Sequence, residues 1–204
     1  MAGFSKKRSL LVLVLPICFS CIWSCSMFLL KAGGYLRNPK LEDRNSIKEY
    51  SKKKGDPYDL LWVSGSTQGF DTLLVRYPRL PSVAIFDRDM SMVENAQGEA
   101  CHKMIMDFLK DTMSNAHIKT KTDSWQIFEK YCTQADIKSE TQGYTHTIVY
   151  SWAIYTPRLT KRIFERMREL RDSTQLNLRF ISLNRDYQKG LHQEVPKLKA
   201  GDSH

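Results

Sequence analysis

The residues of this chain whose types and spacing favour chemistry are two aspartates at the end of an apolar run. Residues 83–86 are rich in strand formers and lead directly into Asp87 and Asp89, which Ser91 follows. In open α/β sheets, ligands bind beyond the carboxyl ends of strands, and paired carboxylates there can hold Mg²⁺ or Mn²⁺. We expect an exposed acidic turn here, because aspartate is a common turn residue, with a divalent-cation site as the alternative.

The stretch VAIFDRDMSMVEN resembles the first motif of haloacid-dehalogenase-like phosphatases, in which a hydrophobic strand runs into D-x-D. On that resemblance, Asp87 is the nucleophile and Asp89 the general acid/base. Ser91 takes the place of the family's threonine and helps to bind the phosphate-bearing group.

The later motifs of that family have candidates further along the chain. Ser151 follows the apolar run at 147–150 and stands for the second-motif hydroxyl, while Lys161 stands for the phosphate-binding lysine. Asp186 stands for the third metal carboxylate, beside the two aspartates of the first motif. The resemblance therefore implies phosphoryl transfer that depends on Mg²⁺ or Mn²⁺.

The order of segments is similar to that of Golgi glycosyltransferases. Those proteins place an N-terminal anchor and a stalk before a luminal α/β domain, whose D-x-D motif holds the metal of a nucleotide sugar. This second resemblance implies glycosyl transfer at the same pair, Asp87 and Asp89.

An uncharged N-terminal run predicts a membrane segment. Residues 9–30 contain no charged side chain, and they lie between the basic residues 6–8 and Lys31. About 20 helical residues span the hydrocarbon layer. We expect a single-pass, type II signal-anchor of the secretory pathway, with the C-terminal part luminal or extracellular. A cleaved signal peptide, to which small residues at 24 and 26 point, and a mitochondrial inner-membrane anchor are the alternatives.

The rest of the chain divides by composition. We expect residues 1–8 to be cytosolic, 31–56 to form a polar stalk, 57–190 to form one globular domain and 191–204 to form a flexible tail. A net charge of +9 is spread over several segments. It indicates a solvated basic surface, so we do not expect nucleic acid as a partner.

Two cysteines, Cys101 and Cys132, lie outside the apolar run. In an oxidising lumen such a pair can form a disulfide. Two separately buried thiols are the alternative, and the spacing of the cysteines does not decide between them.

The pattern of apolar residues predicts an α/β or α+β domain with a mixed sheet and about three helices. The predicted helices cover 98–114, 123–134 and 157–174. Strands are predicted at 58–63, 70–77, 82–87, 116–122, 145–155 and 176–184.

We expect this domain to act chiefly as a binding or accessory module that contacts another protein. The metal-dependent transferase is the first alternative. A second alternative is a ligand carrier, because YTHTIVYSWAIYTPRLTKRIFERMREL resembles the final strands and C-terminal helix of lipocalins.

Overall fold

The computed structural model describes Gly34 and residues 36–111, 124–139 and 143–189, which form one six-stranded sheet and five helices. The predicted α/β class with a mixed sheet is confirmed. In chain order the elements are α1 (Arg44–Lys53), β1 (Leu60–Ser64), α2 (Thr67–Arg76), β2 (Ser82–Asp87), β3 (Met92–Gln97), α3 (Ala100–Asp111), α4 (Ser124–Tyr131), β4 (Cys132–Ile137), β5 (His146–Trp152), α5 (Pro157–Ser173) and β6 (Leu178–Asn184).

The sheet has parallel strands at its centre and antiparallel strands outside them. Its order is β3-β2-β5-β6-β1-β4, with β5, β6 and β1 parallel. Strand β2 runs antiparallel to β5, and the edge strands β3 and β4 are antiparallel to their neighbours. We call the end of the sheet at Trp152 the top and the end at His146 the bottom. Strands β1, β5 and β6 therefore end at the top, whereas β2 ends at the bottom.

Both faces of the sheet are buried under helices. Side chains alternate along a strand, so Ile148 and Tyr150 of β5 point to one face and Val149 to the other. Helices α1, α3 and α5 cover the first face, and α2 and α4 cover the second. Representative buried residues are Ile47, Ile105 and Phe164 on the first face and Leu73 and Phe128 on the second.

Helix α1 makes the domain begin earlier than the sequence predicts, inside the predicted stalk of residues 31–56. Asp43 caps the helix by accepting a hydrogen bond from the Ser46 backbone N–H at 2.8 Å. Ile47 is fully buried, and the ring of Tyr50 stacks on Trp152 at 5.6 Å. The lysine-rich composition hides this helix because few of its residues face the core.

Residues 70–76 lie in helix α2 and Tyr77 is its C-cap, so the strand predicted at 70–77 is wrong. The Ser66 hydroxyl caps the helix by accepting the Gly69 backbone N–H at 3.0 Å. Leu73 and Tyr77, four residues apart, are buried on the second face. A Cβ at Gly69 would lie 2.7 Å from the Tyr131 carbonyl oxygen, so the glycine lets α2 approach α4 closely.

Two strands, β3 and β4, are absent from the sequence prediction. Both are edge strands: β3 has two buried residues followed by partly or fully exposed ones, and β4 has no buried residue, so neither shows a clear period of two. The strand predicted at 116–122 lies outside the described residues. An open sheet with helices on both faces is not the closed barrel that the lipocalin resemblance implies.

Candidate functional site

Asp87 and Asp89 lie in the tight turn that connects β2 to β3 at the bottom of the sheet. One carboxylate oxygen of Asp87 accepts the backbone N–H groups of Asp89 and Ser91, each at 2.9 Å. Met90 takes the left-handed backbone conformation that this turn needs, with φ of 57°. The carboxylate of Asp87 thus has a structural role, because it fixes the turn.

The predicted metal ligands lie at opposite ends of the sheet. Asp87 is opposite His146, the first residue of β5, because β2 and β5 are antiparallel. Asp186 follows β6, whose last residue, Asn184, is opposite Trp152 at the end of β5. A strand rises about 3.3 Å per residue, so the seven residues of β5 separate the two ends by about 20 Å. The structure therefore does not bring Asp186 to the two aspartates of the turn.

The predicted phosphate ligands are also divided between the two ends. Ser91 lies at the bottom of the sheet. Ser151 is buried near the top, where its hydroxyl forms a hydrogen bond with the Ser82 hydroxyl at 2.5 Å. Lys161 lies on the exposed surface of α5, 3.7 Å from the carboxylate of Glu165. Among the described residues, no group of three or more His, Cys, Asp or Glu side chains can hold a metal ion.

Asp186 instead secures the loop that leads from β5 into α5. Its carboxylate accepts the Ile154 backbone N–H at 2.7 Å and the Asn184 amide at 2.6 Å. Burial raises the pKa of Asp186 to about 6, although these hydrogen bonds favour the charged form.

Cys101 and Cys132 are both free thiols in the fold, which is the second of the two alternatives that the sequence leaves open. Cys101 packs in the cluster on the first face, and Cys132 packs against the cluster on the second face. The sheet therefore separates the two sulfur atoms. Burial raises the pKa of Cys101 to about 11 and that of Cys132 to about 12, which keeps both protonated at neutral pH.

A groove of about 940 Å³ lies on the first face between α3 and α5. The loop before β2, with a cis peptide bond between Leu80 and Pro81, contributes one wall. Leu36, from the segment before α1, contributes another. The other apolar lining residues are Cys101, Ile105, Leu159 and Ile163, and the polar and charged ones include Glu99, His102, Arg162, Glu165, Arg166 and Glu169.

Charges of both signs alternate along the α5 side of this groove. Arg166 and Glu169 form an ion pair there. The charged residues on this side of α5 lie three or four positions apart, a spacing that is visible in the sequence and that stabilises the helix. They form a rim of mixed charge beside the apolar residues that line the floor of the groove. The sequence also shows the apolar faces of both helices. It does not show the gap between them, which depends on how α3 and α5 pack.

A polar cluster around Asp56, which the sequence prediction missed, is buried beneath α1. The carboxylate of Asp56 accepts the hydroxyls of Ser51 at 2.7 Å, Ser182 at 2.6 Å and Tyr150. The Trp152 indole N–H donates to the Ser182 hydroxyl at 2.7 Å, which extends the network. Burial raises the pKa of Asp56 to about 6, against the opposite effect of the hydroxyl donors.

The segment before α1 packs against the top of the sheet. The Arg37 backbone N–H donates to the Tyr155 carbonyl at 2.7 Å, and the Glu42 N–H donates to the Tyr187 carbonyl at 2.9 Å. Within the described residues, no helix combines the length and apolarity that crossing a bilayer requires. The predicted anchor at 9–30 and tail at 191–204 lie outside the described residues.

Comparison with known proteins finds no match: no family model, curated protein or solved structure is significantly similar to this chain.

Proposed function

We propose that this chain is a membrane-anchored protein of the secretory pathway whose single α/β domain acts as a binding or accessory module. Residues 9–30 are the proposed type II anchor, because they are long enough and carry no charge. The groove between α3 and α5 is the proposed binding surface, and it is the observation that supports this function most directly.

The groove fits an amphipathic helix from another protein. Leu159 and Glu169, both in the lining, are ten residues apart on α5, or about 15 Å along the helix axis, which matches about three turns of a docked helix. Apolar residues at i, i+3/i+4 and i+7 of such a helix would contact the floor. Its flanking acidic and basic side chains would face Arg162 and Glu165 of the rim.

The phosphoryl- and glycosyl-transfer alternatives gain no support from the geometry. They require the carboxylates of Asp87 and Asp89 to face a substrate, but Asp87 already accepts two backbone N–H groups of its own turn. Lys161 and Asp186 lie toward the other end of the sheet.

Peptide selection tests the groove. The full chain in detergent micelles is presented to a displayed library of amphipathic helices, and the enriched helices are then tested against Leu159→Glu and Val75→Glu. Leu159 is half-buried in the groove, whereas Val75 is 81% exposed on α2, so the two variants gain the same charge on different faces. We expect Leu159→Glu to weaken binding about ten-fold and Val75→Glu to leave it unchanged. Equal binding to both variants would refute the groove as the binding surface.

Carbonate extraction and protease treatment of intact microsomes test the anchor. We expect the chain to remain in the membrane at alkaline pH and its C-terminal domain to be protected until detergent is added. Release by carbonate would contradict the anchor, and digestion without detergent would contradict the type II orientation.

A further inference from the structure

We propose that the top of the domain docks on the phospholipid headgroups of the same membrane that holds the anchor. This inference rests on the proposed membrane anchor and adds a second contact with the bilayer. We call the docking surface the basic end, and define it as Arg37, Lys40, Arg158, Lys161 and Arg162.

The short segment between the proposed anchor and Arg37, which we call the tether, places the basic end close to the bilayer. The bond from the Arg37 N–H to the Tyr155 carbonyl fixes the chain at the start of α5. Position 30, the end of the uncharged run, and Arg37 are seven steps apart along the chain. Fully extended, they span at most about 25 Å. A domain held on so short a tether has a high effective concentration at the membrane surface, so weak contacts suffice for docking.

The charge of the basic end complements lipid phosphates. All five of its residues are exposed, and the first turn of α5 contains no acidic residue. Glu165 is the acidic partner of Lys161, at 3.7 Å. The aligned peptide dipoles of α5 add partial positive charge at its N-terminus. An arginine guanidinium group can donate two parallel hydrogen bonds to two oxygens of one phosphate.

A cluster of lysines outside the basic end provides a matched control. Lys52, Lys53 and Lys54 are exposed at the C-terminal end of α1. That end lies beside the later turns of α5, away from the N-terminal turn that carries part of the basic end, because the Arg168 guanidinium donates to the carbonyl of Gly55 at 2.6 Å. The tether therefore directs the basic end, and not this lysine cluster, toward the bilayer.

Lipid cross-linking in reconstituted vesicles tests the inference. The full chain is inserted into phosphatidylcholine vesicles with and without phosphatidylglycerol, with a benzophenone amino acid at Tyr155 (top) or at Asp89 (bottom). We expect lipid adducts at position 155 to exceed those at position 89 by about five-fold, and phosphatidylglycerol to increase this ratio. Combined Arg37→Glu, Arg158→Glu and Arg162→Glu substitutions should abolish the excess, whereas Lys52→Glu, Lys53→Glu and Lys54→Glu should leave it.

Alkaline extraction of the same vesicles separates the two proposals. If the chain stays in the membrane but both positions give equal adducts, or charge reversal at the basic end has no effect, docking is overturned and the anchor stands. If carbonate releases the chain, the anchor fails, and the docking that rests on it fails with it.

Discussion

The buried carboxyl of Asp56 makes a quantitative prediction about stability and pH. Its pKa rises from 3.8 in the unfolded chain to about 6 in the folded one, because desolvation outweighs three hydroxyl donors. Between these values the unfolded chain loses its proton more readily than the folded chain does, so raising the pH favours unfolding. The stability contribution of the protonated group is complete below about pH 4 and lost above about pH 6. At about 1.4 kcal/mol per pKa unit, the loss is about 3 kcal/mol.

Asp56→Asn tests this prediction because asparagine cannot ionise but keeps the size and an acceptor oxygen for the surrounding hydroxyls. Urea unfolding of the full chain in nonionic micelles, followed by tryptophan fluorescence at pH 4, 5, 6 and 7, gives the free energy of unfolding of each protein. We expect the free energy of unfolding of the variant to rise by about 2.5 kcal/mol relative to that of the wild type between pH 4 and pH 7, because the unfolded chain is already partly ionised at pH 4.

The same experiment includes an internal control. Asp186, whose pKa burial also raises to about 6, is present in both proteins, so its contribution cancels in the comparison. If the difference between Asp56→Asn and the wild type stays constant over this pH range, the reasoning about the buried network is wrong.

Three further predictions concern the turn, a helix cap and the thiols. Mg²⁺ and Mn²⁺ should leave the melting temperature unchanged. Asp87→Ala should lower the free energy of unfolding in urea by about 1–2 kcal/mol, because two backbone N–H groups lose their acceptor. A metal-induced rise in melting temperature that Asp87→Asn abolishes would instead support a metal site. Ser66→Ala should lower the free energy of unfolding by about 1 kcal/mol through loss of the α2 cap, and an unchanged urea midpoint would count against that cap. Cys101 and Cys132 should both alkylate in the unfolded, unreduced chain, and a linked peptide pair in mass spectrometry would contradict their separation.

Much of the fold is predictable because several segments carry one clear period. The apolar residues Ile163, Phe164, Met167 and Leu170 recur on one side of α5, and all four are buried. Strands β2, β5 and β6 are rich in apolar residues and buried along nearly their whole length, as a sheet covered on both faces requires. In these segments local sequence and tertiary packing agree, so the elements lie close to their predicted positions.

The failures occur where local patterns are compatible with two structures. The segment that forms α2 has leucine and valine side chains that suit a strand, and its cap at Ser66 is a single short-range signal. Edge strands β3 and β4 face solvent on part of their surface, which removes the alternation that identifies a strand. Helix α1 contributes few buried residues, Ile47 among them, so its sequence looks like a polar linker.

The candidate site depends on strand direction, which the sequence does not encode locally. The sequence correctly places Asp87 at the end of a strand. Whether that end faces Asp186 depends on how β2 pairs with β5, a contact between segments more than 50 residues apart in the chain. Likewise, the groove arises from the packing of α3 against α5.

Site-specific cross-linking of a bound helix tests the proposed function most directly. A helix enriched by selection on the full chain carries a photoreactive group at the centre of its apolar face, and mass spectrometry identifies the residues that it labels. The proposal predicts labels on groove residues such as Leu36, Ile105 and Leu159, with none on α2 around Val75. Labels spread over both faces of the domain, or confined to α2, would contradict a binding module that works through this groove.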